Sequence, residues 1–377
     1  MKFDILSEYC FVNMGQSPAS ETYNNNADGL PFYQGNADFG EIHPQTRIWC
    51  SAPVKIANKG DLLISVRAPI GALNIATEQC CIGRGLAALT PKLDKCRIKY
   101  IYFAIQSQIN FLIANGTGST FKAVNKNTLE NLLIPVSSLN KQDEIVNIFE
   151  KLNNIINKRK EQLLLMDNAV KSRFIEMFGD VIHNSKKWQN CLFSEITSSR
   201  LGKMLDAKQQ TGRNSYPYLA NFNVQWFRFN LKNLNKMDFD EKDRSEFELC
   251  EGDLLVCEGG EIGRCAVWHN ELQPCFFQKA LHRVRCNRQI ILPDYLSWWF
   301  RYNCDYGGFA ALAGSKATIA HLPGTKLKQL QVVVPPVELQ EQFVAFVKKT
   351  DKSKLEIQKS LDKLEILKKS LMQQYFG

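Results

Sequence analysis

The chain carries one long segment twice. Set Gln142 to Gly179 beside Gln340 to Gly377, and Gln142/Gln340, Val146/Val344, Leu163/Leu361, Lys171/Lys369, Ser172/Ser370, Phe178/Phe376 and Gly179/Gly377 are identical pairs at a constant offset of 198 residues. Upstream, Gly60-Asp61-Leu62-Leu63 matches Gly252-Asp253-Leu254-Leu255, and Ile70-Gly71 matches Ile262-Gly263, both at an offset of 192. Each copy is therefore about half of the 377 residues. A duplicated unit predicts a pseudo-two-fold molecule that presents two similar sites to one partner.

The repeated segment reads as a helix. Alternating steps of four and three pick out Ile145, Phe149, Leu152, Ile156, Leu163, Met166, Val170 and Met177, an apolar seam interrupted by Arg159 and Arg173. Ser137 and Ser138 are good caps before it, and Gly179 suits a left-handed closing position. The second copy keeps the register with Phe343, Val347, Ile357, Leu361, Leu364, Leu371 and Tyr375, although Thr350, Lys354 and Lys368 fall in the seam. Pro335-Pro336 ends a Val332-Val333-Val334 strand ahead of it. Each helix would span about 55 Å at 1.5 Å per residue. A narrow seam suits one helix partner, so the two helices are expected to pair antiparallel. The alternative is that each packs on its own globule.

Between the helices, short apolar runs such as Leu62 to Val66, Ala72 to Ala76 and Leu254 to Cys257 are punctuated by Gly, Pro, Asn and Asp. Helices are expected near Lys99 to Ala114 and Asp294 to Arg301. The fold class is α+β: two mixed α/β globules, at 1–139 and 180–339, separated by a long antiparallel two-helix coiled coil built from 140–179 and 340–377.

No run of 18 apolar residues could span a bilayer, and the start Met1-Lys2-Phe3-Asp4-Ile5 lacks the pattern of a secretory signal, so a cytoplasmic location is expected. The 12 cysteines are then expected to be reduced; no C-x-x-C pair or zinc spacing occurs, and no metal site is expected. The net charge of +9 is spread along the chain, which suits a polyanionic partner and equally a solvated surface of mixed charge.

Catalytic constellations are missing. Gly116-Thr117-Gly118-Ser119-Thr120-Phe121-Lys122 has the composition of a phosphate loop without its spacing. Gly259-Gly260-Glu261-Ile262-Gly263 is followed by Arg264 to Trp268, which reads as a strand, so a hairpin is expected rather than a nucleotide site. There is no G-x-S-x-G elbow, no Asp/Asn-Pro-Pro-Tyr tetrad and no nuclease-like acidic set after Pro293-Asp294. No catalytic residue is assigned, and no enzyme activity is expected.

Gly60 to Gly71, Cys81-Ile82-Gly83-Arg84-Gly85-Leu86-Ala87-Ala88-Leu89 and Gly116 to Val124 together resemble the first target-recognition domain of type I restriction-modification specificity subunits. Ile134-Pro135 before Gln142, and Val334-Pro335-Pro336 before Gln340, look like that family's entries into its two helical regions. The second half matches less tightly, through Glu251 to Leu255, Ile262-Gly263 and Gly314-Ser315-Lys316-Ala317-Thr318-Ile319; Ser137-Ser138 replaces a double proline in the first copy. The resemblance implies a non-catalytic reader of a bipartite, asymmetric duplex DNA target, one part per recognition domain. It also implies helices that act as ruler and as dock for two methyltransferase (modification) subunits. S-adenosylmethionine would be held by those subunits, and ATP with Mg by restriction/translocase subunits joining outside; no cofactor is expected on this chain.

Within that resemblance, phosphate and base contacts are expected from loop residues: Arg67, Arg84, Lys122, Asn125 and Lys126 in the first half, and Arg264, Gln278, Lys279, Lys316 and Thr318 in the second. Trp298-Trp299-Phe300 and Phe276-Phe277 are expected in the core. The rival reading is a duplicated protein-binding scaffold without DNA specificity; a cryptic nuclease or transferase ranks behind it.

Overall fold

The computed structural model describes residues 2–117, 122–206, 210–310 and 321–377. The chain divides into two compact units, Met1–Glu161 with Ile357–Gly377, and Gln162–Glu356. Two helices of 40 residues, Leu139–Phe178 and Val337–Phe376, each contribute one stretch to each unit. No helix among the described residues is long and apolar enough to cross a membrane.

In unit 1 a four-stranded antiparallel sheet runs in the order Cys10–Met14, Leu86–Pro91, Leu62–Ser65, Leu73–Ile75. A five-stranded sheet beside it contains a parallel pair, Leu30–Tyr33 with Cys80–Ile82. The strand Phe3–Ile5 pairs with Leu133–Pro135, and the helix Ile98–Ser107 packs its buried face into the core. Unit 2 repeats the four-stranded order and the parallel pair, the latter within a three-stranded sheet. Its four-stranded order is Thr197–Leu201, Leu281–Cys286, Leu254–Cys257, Cys265–Val267, with a parallel pair Ser215–Leu219 and Phe276–Phe277. Gln189–Leu192 pairs with Gln331–Val334, and Pro293–Asp305 is the core helix.

The repeated Gly-Asp-Leu-Leu explains itself locally. Gly60 and Gly252 sit at φ +89° and +87°, where only glycine is unstrained, and turn the chain into the central strand. The next residue, Asp61 or Asp253, is 2% exposed and accepts the backbone N–H of Asn58 at 2.8 Å or Cys250 at 2.9 Å. The turn amide offsets part of the cost of burying the carboxylate; at Asp253 the Arg285 guanidinium, 2.7 Å away, offsets more, while burial raises the pKa of Asp61. The loop Glu258 to Arg264 joins the antiparallel strands Leu254–Cys257 and Cys265–Val267, as the hairpin reading expects. All 12 cysteines are free. Phe276, Phe277 and Phe300 are fully buried and Trp299 nearly so.

The seam residues of the first helix are buried at Ile145, Phe149, Leu152, Ile156, Val170 and Met177 and half-buried at Leu163 and Met166. Along the second, Phe343 and Leu361 are buried and Val347, Ile357, Leu364 and Leu371 are half-buried, while Leu164, Leu165, Leu355 and Ile366 off the seam are exposed. In unit 1, Phe149 lies 5.8 Å from Phe376 between ring centroids, and Lys160 meets Glu365 at 3.4 Å. In unit 2, Phe174 and Phe178 each lie 5.4 Å from Phe343, and Lys354 meets Asp167 at 2.8 Å. Within each unit the two helical stretches therefore run in opposite directions. Burial disfavours the charge of Lys354, but hydrogen bonds to Asp167 and Asp351 outweigh it and raise its pKa, which explains how a lysine sits in the seam.

Gln142 and Gln340 each bind a helix start to its globule. Gln142 accepts the N–H of Arg97 at 2.8 Å and donates to the carbonyls of Lys95 and Ser137 at 3.0 and 2.9 Å. Gln340 accepts from Leu292 at 2.8 Å and donates to Ile290 and Pro335 at 3.0 and 2.8 Å. Phe376 and Phe178 are likewise matched: both are fully buried, against Tyr100 at 5.2 Å and Tyr295 at 4.8 Å. The hydroxyls of those tyrosines donate to Pro135 and Val333. Gly179 ends the first helix at φ +73°.

Candidate nucleic-acid interface

Unit 1 gathers its loop cations at one edge of the central sheet. The buried Ser65 hydroxyl lies 2.9 Å from the carbonyl oxygens of both Arg67 and Pro69 and fixes the turn that holds Arg67 outward. Val124 N–H donates to Val66 at 2.8 Å, and Arg67 bridges Ala123, which brings Lys122 beside it. Arg84 stands between Gly83 and Gly85 because the turn at Gln34 leaves no room for more. A Cβ on Gly85 would lie 2.3 Å from the Gln34 carbonyl oxygen, and one on Gly83 would lie 3.1 Å from Gln34 Cα. The result is an open cleft of about 190 Å³ lined by Gln34, Asn36, Ser65, Arg67 and Arg84.

Arg67, Arg84 and Lys122 are exposed and, among the described residues, have no carboxylate partner. Two unneutralised guanidinium groups lining the cleft, with Lys122 next to the residue that bridges Arg67, attract a polyanion. Asn125 has another duty: its Oδ1 accepts the Thr128 N–H at 2.9 Å, capping the helix Lys126–Glu130. Lys126 pairs with Glu130 at 3.4 Å.

Unit 2 builds the corresponding loops with different side chains. Glu258 takes the place of Val66: its carbonyl accepts the Leu322 N–H, and Gly259 bridges His321 as Arg67 bridges Ala123. Lys279 takes the place of Arg84 and is exposed, while Gln278 is half-buried and bridges Lys203. Arg264 points inward. Its guanidinium donates at 3.1 Å to both the carbonyl and Oδ1 of Asn221 and lies 3.7 Å from Glu261. Lys203 is held by Asp243 and by the Asp238 carbonyl. Lys316 and Thr318 lie outside the described residues.

Thiols near these loops are not primed as nucleophiles. Burial pushes Cys81 and Cys257 up to about 11, so both stay protonated at neutral pH. Among the described residues, no group of three or more His, Cys, Asp or Glu side chains could hold a metal ion.

The sequence reading missed Gln34, Asn36, Asn221 and His321. Gly35-Asn36 is a turn dipeptide and is the one local signal available. Gln34 reaches the cleft, and Asn221 and His321 reach the Gly259 loop of unit 2, only through contacts between segments distant along the chain.

The family described as "Type I restriction modification DNA specificity domain" matches residues 5–165 and again 185–367. A provisionally named MjaX specificity subunit of a type I restriction enzyme from Methanocaldococcus jannaschii is 40% identical over 159 residues, which is 41% of this chain and 37% of that protein. The MjaIX type I restriction enzyme specificity subunit of the same organism is 27% identical over 129 residues, 34% of this chain and 30% of that one. The chain thus spans well under half the length of these two relatives. The crystal structure of the type I restriction-modification S subunit from M. genitalium aligns over 100% of this chain and 96% of its own, with a TM-score of 0.61 and 14% identity, a likeness of fold.

Proposed function

Because this chain belongs to the type I restriction-modification DNA specificity family, we propose that it is the specificity subunit of such an enzyme, reading a bipartite, asymmetric duplex target and catalysing nothing itself. One globule reads each part: target-recognition domains at 1–139 and 180–339. The helices at 140–179 and 340–377 form an antiparallel coiled coil about a pseudo-two-fold axis, setting the distance between readers and docking two methyltransferase subunits. Restriction/translocase subunits join outside these. S-adenosylmethionine, ATP and Mg belong to the partners, and the assembly works in the cytoplasm.

The observation that carries this reading is the duplication at the level of hydrogen bonds. Gln142 and Gln340 make the same three bonds, and the loops bearing Arg84 and Lys279 are held by the same backbone bonds. Two copies of one reading scaffold with different loop side chains suit a target whose halves differ. Arg67, Arg84, Lys122 and Lys279 supply phosphate contacts in this reading, with Lys126, Asn125 and Gln278 at the margins; Arg264 supports a loop. Lys316 and Thr318 stay assigned by resemblance alone.

The test is to map methylated adenines in cells with and without this chain and to measure duplex binding by the chain with its modification subunits against salt. A two-part methylation motif that vanishes with the gene, with affinity falling steeply as salt rises, is the expected result. Binding that is indifferent to sequence and salt would leave the protein-binding scaffold instead.

A further inference from the structure

The two reading edges differ in one respect that follows from packing. In unit 1 the turn after Leu30–Tyr33 is stabilised from below: Asp38 Oδ2 accepts the N–H of Gln34 at 2.8 Å, and the same carboxylate pairs with Arg47. The side-chain amides of Gln34 and Asn36 take no part in this and, among the described residues, have no hydrogen-bond partner. Both line the cleft with Arg67 and Arg84. In unit 2 the corresponding turn follows Ser215–Leu219, and Asn223 Oδ1 accepts the N–H of Ala220 at 2.9 Å in place of the aspartate. There the outward amide is used up: Asn221 Nδ2 donates to the Gly259 carbonyl at 2.8 Å, and its Oδ1 accepts from Arg264 at 3.1 Å.

We infer that Gln34 and Asn36 are base-reading residues of unit 1, selecting sequence in one half of the target, whereas the matching turn of unit 2 is a locked support without a reading role. The inference rests on the DNA-reading function proposed above. A carboxamide offers a donor and an acceptor together, the combination that matches adenine N7 and N6 in the major groove, while guanidinium groups lining the same cleft meet phosphates or guanine. Gly83 and Gly85 give the arrangement its precision: they let the Gln34 backbone lie directly on the Arg84 loop, so amide and guanidinium are positioned by one contact. No carboxylate lines the cleft to repel a phosphate.

The experiment selects duplexes from a randomised pool with the full chain in complex with its modification subunits, for wild type, Gln34→Ala/Asn36→Ala and Gln34→Glu. The double variant should lose about tenfold or more discrimination at one or two positions of a single half-site and keep the other half unchanged. Gln34→Glu should shift the preferred base at the same position toward cytosine, whose amino group a carboxylate accepts. Asn221→Ala should lower the melting temperature and leave both half-sites as they are. A double variant that enriches the wild-type motif in full, or one that loosens both halves equally, overturns the inference while leaving the DNA-reading function standing. A wild-type complex that enriches no sequence overturns that function, and the inference with it.

Discussion

Gln142 and Gln340 each commit a buried primary amide to three backbone partners, and nothing smaller or differently shaped can replace that. Gln142→Ala or Gln340→Ala orphans one N–H and two carbonyls in a site that is at most 1% exposed, so each should cost about 2–4 kcal/mol, read as a shift in the denaturant midpoint. These two residues stood out in the sequence only as an identical pair; their role became visible once Lys95 and Ile290, distant along the chain, were seen beneath them. His282 makes a second prediction at this scale. It is 1% exposed, Nε2 lies 3.1 Å from the Leu322 carbonyl, and burial lowers its pKa below the ordinary 6.5, against Glu258, which raises it. The folded state therefore binds this proton less readily than the unfolded chain. Its stability is intact above the unfolded value of about 6.5 and is lost as pH falls from there toward the depressed folded value. Denaturation of wild type and His282→Gln between pH 8 and 5 should show a steeper acid loss in the wild type.

The long helices were the most legible elements, because a seam every three and four residues has one geometric meaning and both ends carry stop signals. Their first turns begin at Leu139 and Val337, slightly ahead of the repeated glutamines. The lysines in the second seam looked like a weakness and proved to be answered, at Lys354, by Asp167 and Asp351. Sheets were legible as strands but not as orders, since the parallel pairs Leu30–Tyr33 with Cys80–Ile82 and Ser215–Leu219 with Phe276–Phe277 depend on contacts far apart in sequence. Nor did the sequence separate Arg67 from Arg264: both follow a Gly-Asp-Leu-Leu strand, yet Arg67 faces outward and Arg264 is held by Asn221. The last turn of the second helix bears on unit 1 through Phe376, which is fully buried between Tyr100 and Phe149. Phe376→Ala should cost about 3–5 kcal/mol, and hydrogen exchange should rise in the core strands and the Ile98–Ser107 helix of unit 1.

For the molecule as a whole, each unit holds a four-stranded sheet of the same order, a buried glutamine with the same three bonds and a fully buried phenylalanine against a tyrosine. What the repeat hid is the difference between its copies at the candidate reading edges, where selection for unlike bases would act. If the paired helices set the separation of the readers, spacer length must follow helix length. Seven residues inserted after Glu161 and seven after Glu356 add about 10.5 Å to each helix and nearly two full turns, which keeps the apolar seam in register. At about 3.4 Å per base pair the spacer between half-sites should grow by about three base pairs, with both half-site sequences unchanged. Insertion of five residues in each helix instead rotates the seam by about 140° and should abolish selective binding rather than lengthen the spacer. Mapping the methylation motif of the heptad variant in cells decides the matter, and a spacer of wild-type length in that variant would remove the ruler from the mechanism.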